Sequence, residues 1–540
     1  MDFSKNELAA FNPQDRAYRG KLWVRVLTPD TVYHHIFWGR IATLLGGFAV
    51  MTWLGLAAAA WGFVKYRRGY SDVSYFDLAF YPLRREQYRI GMGRSQIAAG
   101  RAAFEQKNYR EGYSLLTAGL ARVPADAAAR RYVAIAEVRF GRTDRALRTL
   151  AEGLPHARVD LDYLKLLFGL LLETHDDDRV IALARDLLPA RPDGKLVHQF
   201  VALQAATAHY HRGRTETAER LVGDWGLENA LEGQILLARC DWDWGLRELA
   251  LQRLVQQVAR FPKRDELYLE LIRLQRDSGK HAEARRFALL RQFNDPTSPG
   301  PRIDLLHTYR ASGDTEAGER ELTEFLARFG DDANALLLLE WFAVDTVQPE
   351  LAERVHALAR EKKFPLHAFN LARVQTALAA KDPRRALTLA AEALRADHTG
   401  VEHVAALLNA LRAVALFGTG ESSRGQVMLG AFLKEPRLRA SDALLLARQL
   451  ANLGFPAQAH RVLERACQID PLNQQALAEL IRLDAAAGDR TALAQNLPRL
   501  LAMRKHSRAT LMEILQRLDQ PGDALLREQI QSALARPAAP

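Results

Sequence analysis

Cysteine is nearly missing from this 540-residue chain: Cys240 and Cys467 are its only two, and they lie far apart. Two isolated thiols exclude a disulfide framework and any metal cluster built on paired cysteines. They read as small apolar core residues and leave the redox compartment open. Familiar catalytic motifs are missing too. There is no GxxxxGK[ST] phosphate loop, no HExxH, no CxxC and no GxSxG elbow. Strand patterning is equally scarce, since no alternating apolar run with hairpin-turn residues stands out. No catalytic, cofactor or metal site is therefore assigned, and the chain does not read as an enzyme. The formal charge is +10 and the pI near 9.6, which suits anionic surfaces or acidic partners.

Long apolar runs are absent with one exception. From Ile41 to Val64 the sequence "IATLLGGFAVMTWLGLAAAAWGFV" carries no charge, and about 20 such residues cross a hydrocarbon core. Trp38 and Trp61 stand near its ends, with Lys65, Arg67 and Arg68 directly after it, as at membrane interfaces. A cleaved signal peptide fits less well, because the apolar core is long and about 40 residues precede it. The expected layout is an N-terminal tail (1–35), a transmembrane helix (36–64, Ile36 to Val64) and a basic, aromatic juxtamembrane linker (65–90). Positive residues near the span favour its C-terminal side, which places the bulk of the chain on the cytoplasmic side of a bacterial inner membrane. Gly39, Thr43 and Gly47 fall four apart, as do Gly55 and Ala59, a spacing that lets a second copy's helix approach and form a homodimer.

Small residues elsewhere keep a schedule. Ala250, Ala284, Gly318, Ala352 and Ala386 are each 34 residues after the last; so are Gly112, Ala146 and Val180, and Gly425, Ala459 and Leu493. Upstream of most rungs stands a turn glycine: Gly141, Gly213, Gly245, Gly279, Gly313, Gly420, Gly454 or Gly488. Val347 takes that place in one unit. Between the rungs, windows such as "ELYLELIRLQRDSG" carry apolar residues three and four apart and then a glycine stop, the mark of amphipathic helices.

This period resembles the tetratricopeptide repeat, a helix–turn–helix unit of 34 residues. The residues that carry the likeness best are Ala447, Gly454, Ala459, Ala466 and Pro471, and then Gly100, Gly112, Gly119 and Pro124. The resemblance implies an all-α solenoid of about twelve units over residues 91–505 behind the transmembrane helix. A C-terminal capping helix and tail (506–540) follow.

In that family the first helix of each unit lines the concave groove. The positions facing it include Arg239, Arg273, His307 and Trp341, and one turn later Trp242, Arg276 and Arg310. Arginine forks and tryptophan anchors in one row suit a protein or peptide partner with an acidic segment. The plainer reading is a solvated helix face whose arginines pair with Asp243 or Asp277. Two other polar stretches, "THDDDR" (Thr174 to Arg179) and "HYHR" (His209 to Arg212), read as a solvated turn and an ordinary helix face. The function expected is a membrane-tethered scaffold that recruits proteins, in the manner of envelope, pilus or secretion assemblies. The alternative is a nucleic-acid binder on a helical-repeat frame, which the irregular groove positions disfavour.

Overall fold

The computed structural model describes residues 13–14, 16–27, 31–396, 402–436, 438–518 and 521–534. The outer parts of the expected tails, residues 1–12 and 535–540, lie outside the described residues. Two compact units divide the chain after Leu170.

In the first unit, strands β1 (Trp23–Leu27) and β2 (Val32–Ile36) pair antiparallel, with Trp23 opposite Ile36 and Leu27 opposite Val32. This hairpin corrects the expectation that no strand run with hairpin turns is present. Its alternation, WVRVL and VYHHI, is short and carries too few apolar residues on one face to stand out. Ile36 thus ends a strand, and the apolar helix spans Trp38–Gly62 and continues as a wider turn to Arg67. At 1.5 Å per residue this helix is roughly 37 Å long, enough for a bilayer core. It is almost bare: Leu45, Phe48 and Met51 are 63%, 72% and 70% exposed.

The first helix of the pairs lies within Tyr81–Glu105, where the backbone breaks from helical geometry at Arg84 (φ −116°, ψ 21°), just after Pro82 in the first turn. Among the described residues twelve pairs follow one another, from Tyr81–Glu105 with Tyr109–Leu120 to Gln474–Ala487 with Arg490–Leu501. The caps are polar: Asp126, Asp314, Asp332 and Asp489 each accept a hydrogen bond from a first-turn backbone N–H.

Every pair turns on one residue with positive φ, and these residues keep the period of the ladder. The eight turn glycines sit there, from Gly141 (71°) to Gly488 (72°). The remaining four turns use Lys107, His175, Val347 and Lys381, at 64°, 62°, 53° and 61°. The small rungs meet where the two helices of a pair cross. A Cβ on Gly112 would lie 3.0 Å from the Gly100 carbonyl oxygen, and Ala250, Ala284, Ala386 and Ala459 are fully buried. First helices of successive pairs pack on one another, whereas second helices pack mainly on the first helices that flank them. Within the second unit the first helices therefore form the inner layer. Between the layers the core is leucine-rich, as at Leu271, Leu305, Leu339 and Leu411, each buried. Truncating such a leucine to alanine costs about 2–5 kcal/mol.

The last segment holds two helices, Arg508–Gln516 and Ala524–Leu534, where a single capping helix was expected. Both pack at the end of the twelfth pair, burying Leu511, Ile514, Leu526 and Ile530.

Candidate functional site

Between the twelfth pair and the Arg508–Gln516 helix, residues Ala502 to Ser507 form a strap within the second unit. The strap returns to the third, fourth and fifth pairs, more than 250 residues back in the chain. Arg504 grips Asp177 with two bonds, Nε to Oδ2 and NH2 to Oδ1, both 2.8 Å, and also donates to the Leu172 carbonyl at 2.6 Å. The Lys505 N–H donates to the His211 carbonyl at 2.5 Å. Its ammonium pairs with Asp243 and lies 3.3 Å from the centre of the Tyr210 ring. Arg212 donates to the Ala502 carbonyl and pairs with Asp178. From the other side Gln474 Nε2 donates to the Arg504 and Lys505 carbonyls, at 2.9 and 3.3 Å.

The two stretches read as ordinary surface are thus the strap's seat, and that reading is corrected. The Asp177 side chain is fully buried, not solvated. Burial raises its carboxyl, but the hydrogen bonds and charges of His211 and Arg504 outweigh that and hold its pKa below the ordinary value. Burial pushes the Lys505 ammonium down, against the pull of Asp243. A sequence signal existed. Both stretches border the inter-helix turns of successive pairs, at His175 and Gly213, so they are stacked neighbours, with Asp177 beside His211 and Asp178 beside Arg212.

Under the strap opens a cavity of about 910 Å³. Arg239, Trp242 and Arg273 of the expected set line it, together with Tyr210, Lys505 and Arg508. Arg239 Nε donates to Glu270 Oε1 at 3.0 Å, and Arg273 reaches the same oxygen at 3.1 Å and Asp277 at 3.5 Å. Burial raises the Glu270 carboxyl, and the Arg239 and Arg273 charges more than reverse the shift. Trp242 is half-buried against the core, with the Arg247 guanidinium 5.4 Å from its ring centre.

The other four candidates line no part of this cavity. Arg276 is half-buried and points to Asp304, donating to its carbonyl at 3.5 Å. The ring of His307 stands edge-on to Phe342 at 4.7 Å, and burial, then the Arg276 charge, lowers its pKa. Arg310 is exposed and borders a smaller pocket of about 150 Å³ beside Phe342. Trp341 is half-buried. The row thus splits in two. One part shares a cavity with the strap; the other sits on inner helices farther along.

Among known proteins, the family model of the tetratricopeptide repeat matches residues 103–167. No curated protein matches the chain. Solved structures with a similar course include the Naa15/Naa10 complex bound to HypK-THB, at 14% identity over 90% of this chain and 75% of that one, TM-score 0.30. The Cut9–Hcn1 hetero-tetramer of APC/C is 11% identical over 86% of this chain and 100% of that one, TM-score 0.25. A tetratricopeptide repeat protein from Parabacteroides merdae is 15% identical over 46% of this chain and 96% of that one, TM-score 0.28.

Proposed function

We propose that this chain, whose residues 103–167 match the tetratricopeptide-repeat model, is a protein-interaction scaffold, tethered to a bilayer by the helix Trp38–Gly62, that docks an acidic partner segment in the cavity beneath its C-terminal strap. The observation that carries this reading is the cavity's lining. Five cationic side chains face it (Arg212, Arg239, Arg273, Lys505 and Arg508) against two carboxylates, Asp243 and Glu270. Trp242, Trp244 and Met503 add apolar surface for an anchor. Carboxylates of a partner would meet arginine forks, and one bulky side chain would meet the tryptophans.

The tether rests on the length and bareness of the apolar helix. Lys65, Arg67 and Arg68 after it, with Arg84 and Arg85, favour the repeats on the cytoplasmic side of a bacterial inner membrane. Assembly of an envelope, pilus or secretion complex is the context this arrangement suits.

The test uses the detergent-extracted full chain. Arg276 is a poor choice for charge reversal, since its loss would disturb Asp304, which also pairs with the buried Arg291. Arg273→Ala with Arg508→Glu is cleaner, because neither side chain is an Asp304 partner. The double variant should lose partner recovery by about two orders of magnitude, each charge-assisted contact contributing about 1.5–3 kcal/mol. It should keep the wild-type helical signal. Unchanged recovery would remove the cavity as the docking site.

A further inference from the structure

After Arg67 the chain reverses and runs back along the apolar helix. The Trp61 indole donates to the Val73 carbonyl at 3.0 Å, and the Trp53 indole to the Ala79 carbonyl at 2.7 Å. Tyr75 donates its hydroxyl to the Leu54 carbonyl at 3.2 Å. On its other side the segment is clamped to the first repeat. The Asp72 N–H donates to Ser95 Oγ at 3.0 Å, and a Cβ on Gly91 would stand 2.8 Å from the Asp72 carbonyl oxygen. Val73 and Ala79 are buried by this double contact. Ser74 and Asp77 cap the short helix Tyr75–Ala79 reciprocally, which fixes which residues face outward.

Those residues are apolar and aromatic. Phe76 and Phe80 are 59% and 49% exposed and stack at 6.5 Å, and Leu83 beyond them is 85% exposed. Arg84 and Arg85 follow directly, Arg84 pairing with Asp77 at 3.2 Å.

Their height along the apolar helix supplies an occupant. Twenty residues counted from Trp38 end at Ala57 and cover about 30 Å, the thickness of a hydrocarbon core. Ala57 is the buried residue of that helix, and it falls between Trp53 and Trp61, the two residues that hold the returning segment. The segment therefore sits at one face of the bilayer, where aromatic side chains and arginines are most favourable.

We propose that Val73–Arg85 is a lipid-binding collar: Phe76, Phe80 and Leu83 enter the acyl–headgroup boundary, and Arg84 and Arg85 bind anionic headgroup phosphates. The collar rests on the reading that Trp38–Gly62 crosses the bilayer. It also explains why the segment is clamped to both neighbours, since a fixed collar sets the depth at which the first repeat begins.

The test keeps the full chain. Cys240→Ala and Cys467→Ala remove the native thiols, and Leu83→Cys or Phe48→Cys receives an environment-sensitive fluorophore. The protein is reconstituted in phosphatidylcholine vesicles with or without phosphatidylglycerol. Both labels should emit to the blue. A spin label near the headgroup end of the acyl chain should quench position 83 more strongly than position 48, and one near the methyl end should do the reverse. Quenching at 83 should fall in vesicles without phosphatidylglycerol, and Arg84→Gln with Arg85→Gln should abolish that lipid dependence. Water-like emission at 83 with lipid-like emission at 48 overturns the collar and leaves the tether standing. Water-like emission at both overturns the tether. Quenching at 83 indifferent to lipid charge overturns the role of the arginines.

Discussion

Asp177 and Glu340 are both buried carboxyl groups in the repeats of the second unit, and they are held in opposite charge states. The strap brings Arg504 to Asp177, His211 stands beside it, and the carboxylate stays ionised with a pKa below its ordinary value. Glu340, in the eighth pair, is equally shielded, and neither oxygen has a hydrogen-bond partner. Burial pushes its pKa up to about 9, with Arg373 only partly opposing and Glu353 adding to the rise. The same core treats a carboxyl as a charge where the chain returns to pair it, and as a neutral acid where it does not.

Removing the strap's half of the pair should make Asp177 resemble Glu340. Arg504→Ala leaves a buried carboxylate with its main partner gone, a change that costs about 3–5 kcal/mol in comparable pairs. Chemical unfolding should show the loss. Amide exchange should rise at Ala502–Ser507 and at the third to fifth pairs, and not in the tenth pair. An exchange pattern identical to wild type would mean the strap is held without Arg504.

The converse change is Glu340→Gln, which removes the ionisable group. In the wild type the folded state keeps the Glu340 proton up to about pH 9 while the unfolded state loses it near 4.5. Folding therefore binds a proton between those values, and this group's contribution to stability is full below pH 4.5 and is lost as pH rises to about 9. The Asp177 contribution has the opposite sense: it is present above the ordinary carboxylate pKa of 3.8 and is lost in acid. Glu340→Gln should flatten the decline between pH 4.5 and about 9 and gain about 1–3 kcal/mol at pH 9, read from unfolding curves at several pH values. A decline of unchanged slope would assign it to other groups.

The eighth pair differs in its turn as well. Val347 holds φ 53°, where a β-branched residue is strained, and the seventh pair uses Gly313 at 73° in the same place. Val347→Gly should raise stability by about 1 kcal/mol, the strain relieved less the extra chain entropy of glycine. Gly313→Val should lower it. Equal and small effects at both turns would show that the backbone there relaxes freely.

The repeat was legible because it recurs. A 34-residue ladder of small residues at helix crossings, with glycine at the turns, is visible in any one unit only faintly and across twelve without ambiguity. The four turns built on Lys107, His175, Val347 and Lys381 were less visible, since only spacing marks them. The bare apolar helix was legible from its lack of charge. The strap was not, because "MRKHSR" is an unremarkable basic loop, and its partners lie seven to nine pairs back in the chain. Long-range closure depends on the superhelical path, which no local pattern encodes. For the same reason equal spacing brought Arg239, Trp242 and Arg273 to the strap's cavity and left Arg276, His307, Arg310 and Trp341 outside it.

The most direct test of the docking cavity is site-specific photo-cross-linking in intact cells, with a photoreactive phenylalanine in place of Trp242 under the strap or of Arg286 on an outer helix, where that side chain is 68% exposed. The cavity account predicts one discrete cross-linked partner from position 242, lost when Arg273→Ala and Arg508→Glu are combined with the probe, and none of that product from position 286. The same product from 286, or from 242 regardless of the two arginines, would contradict it.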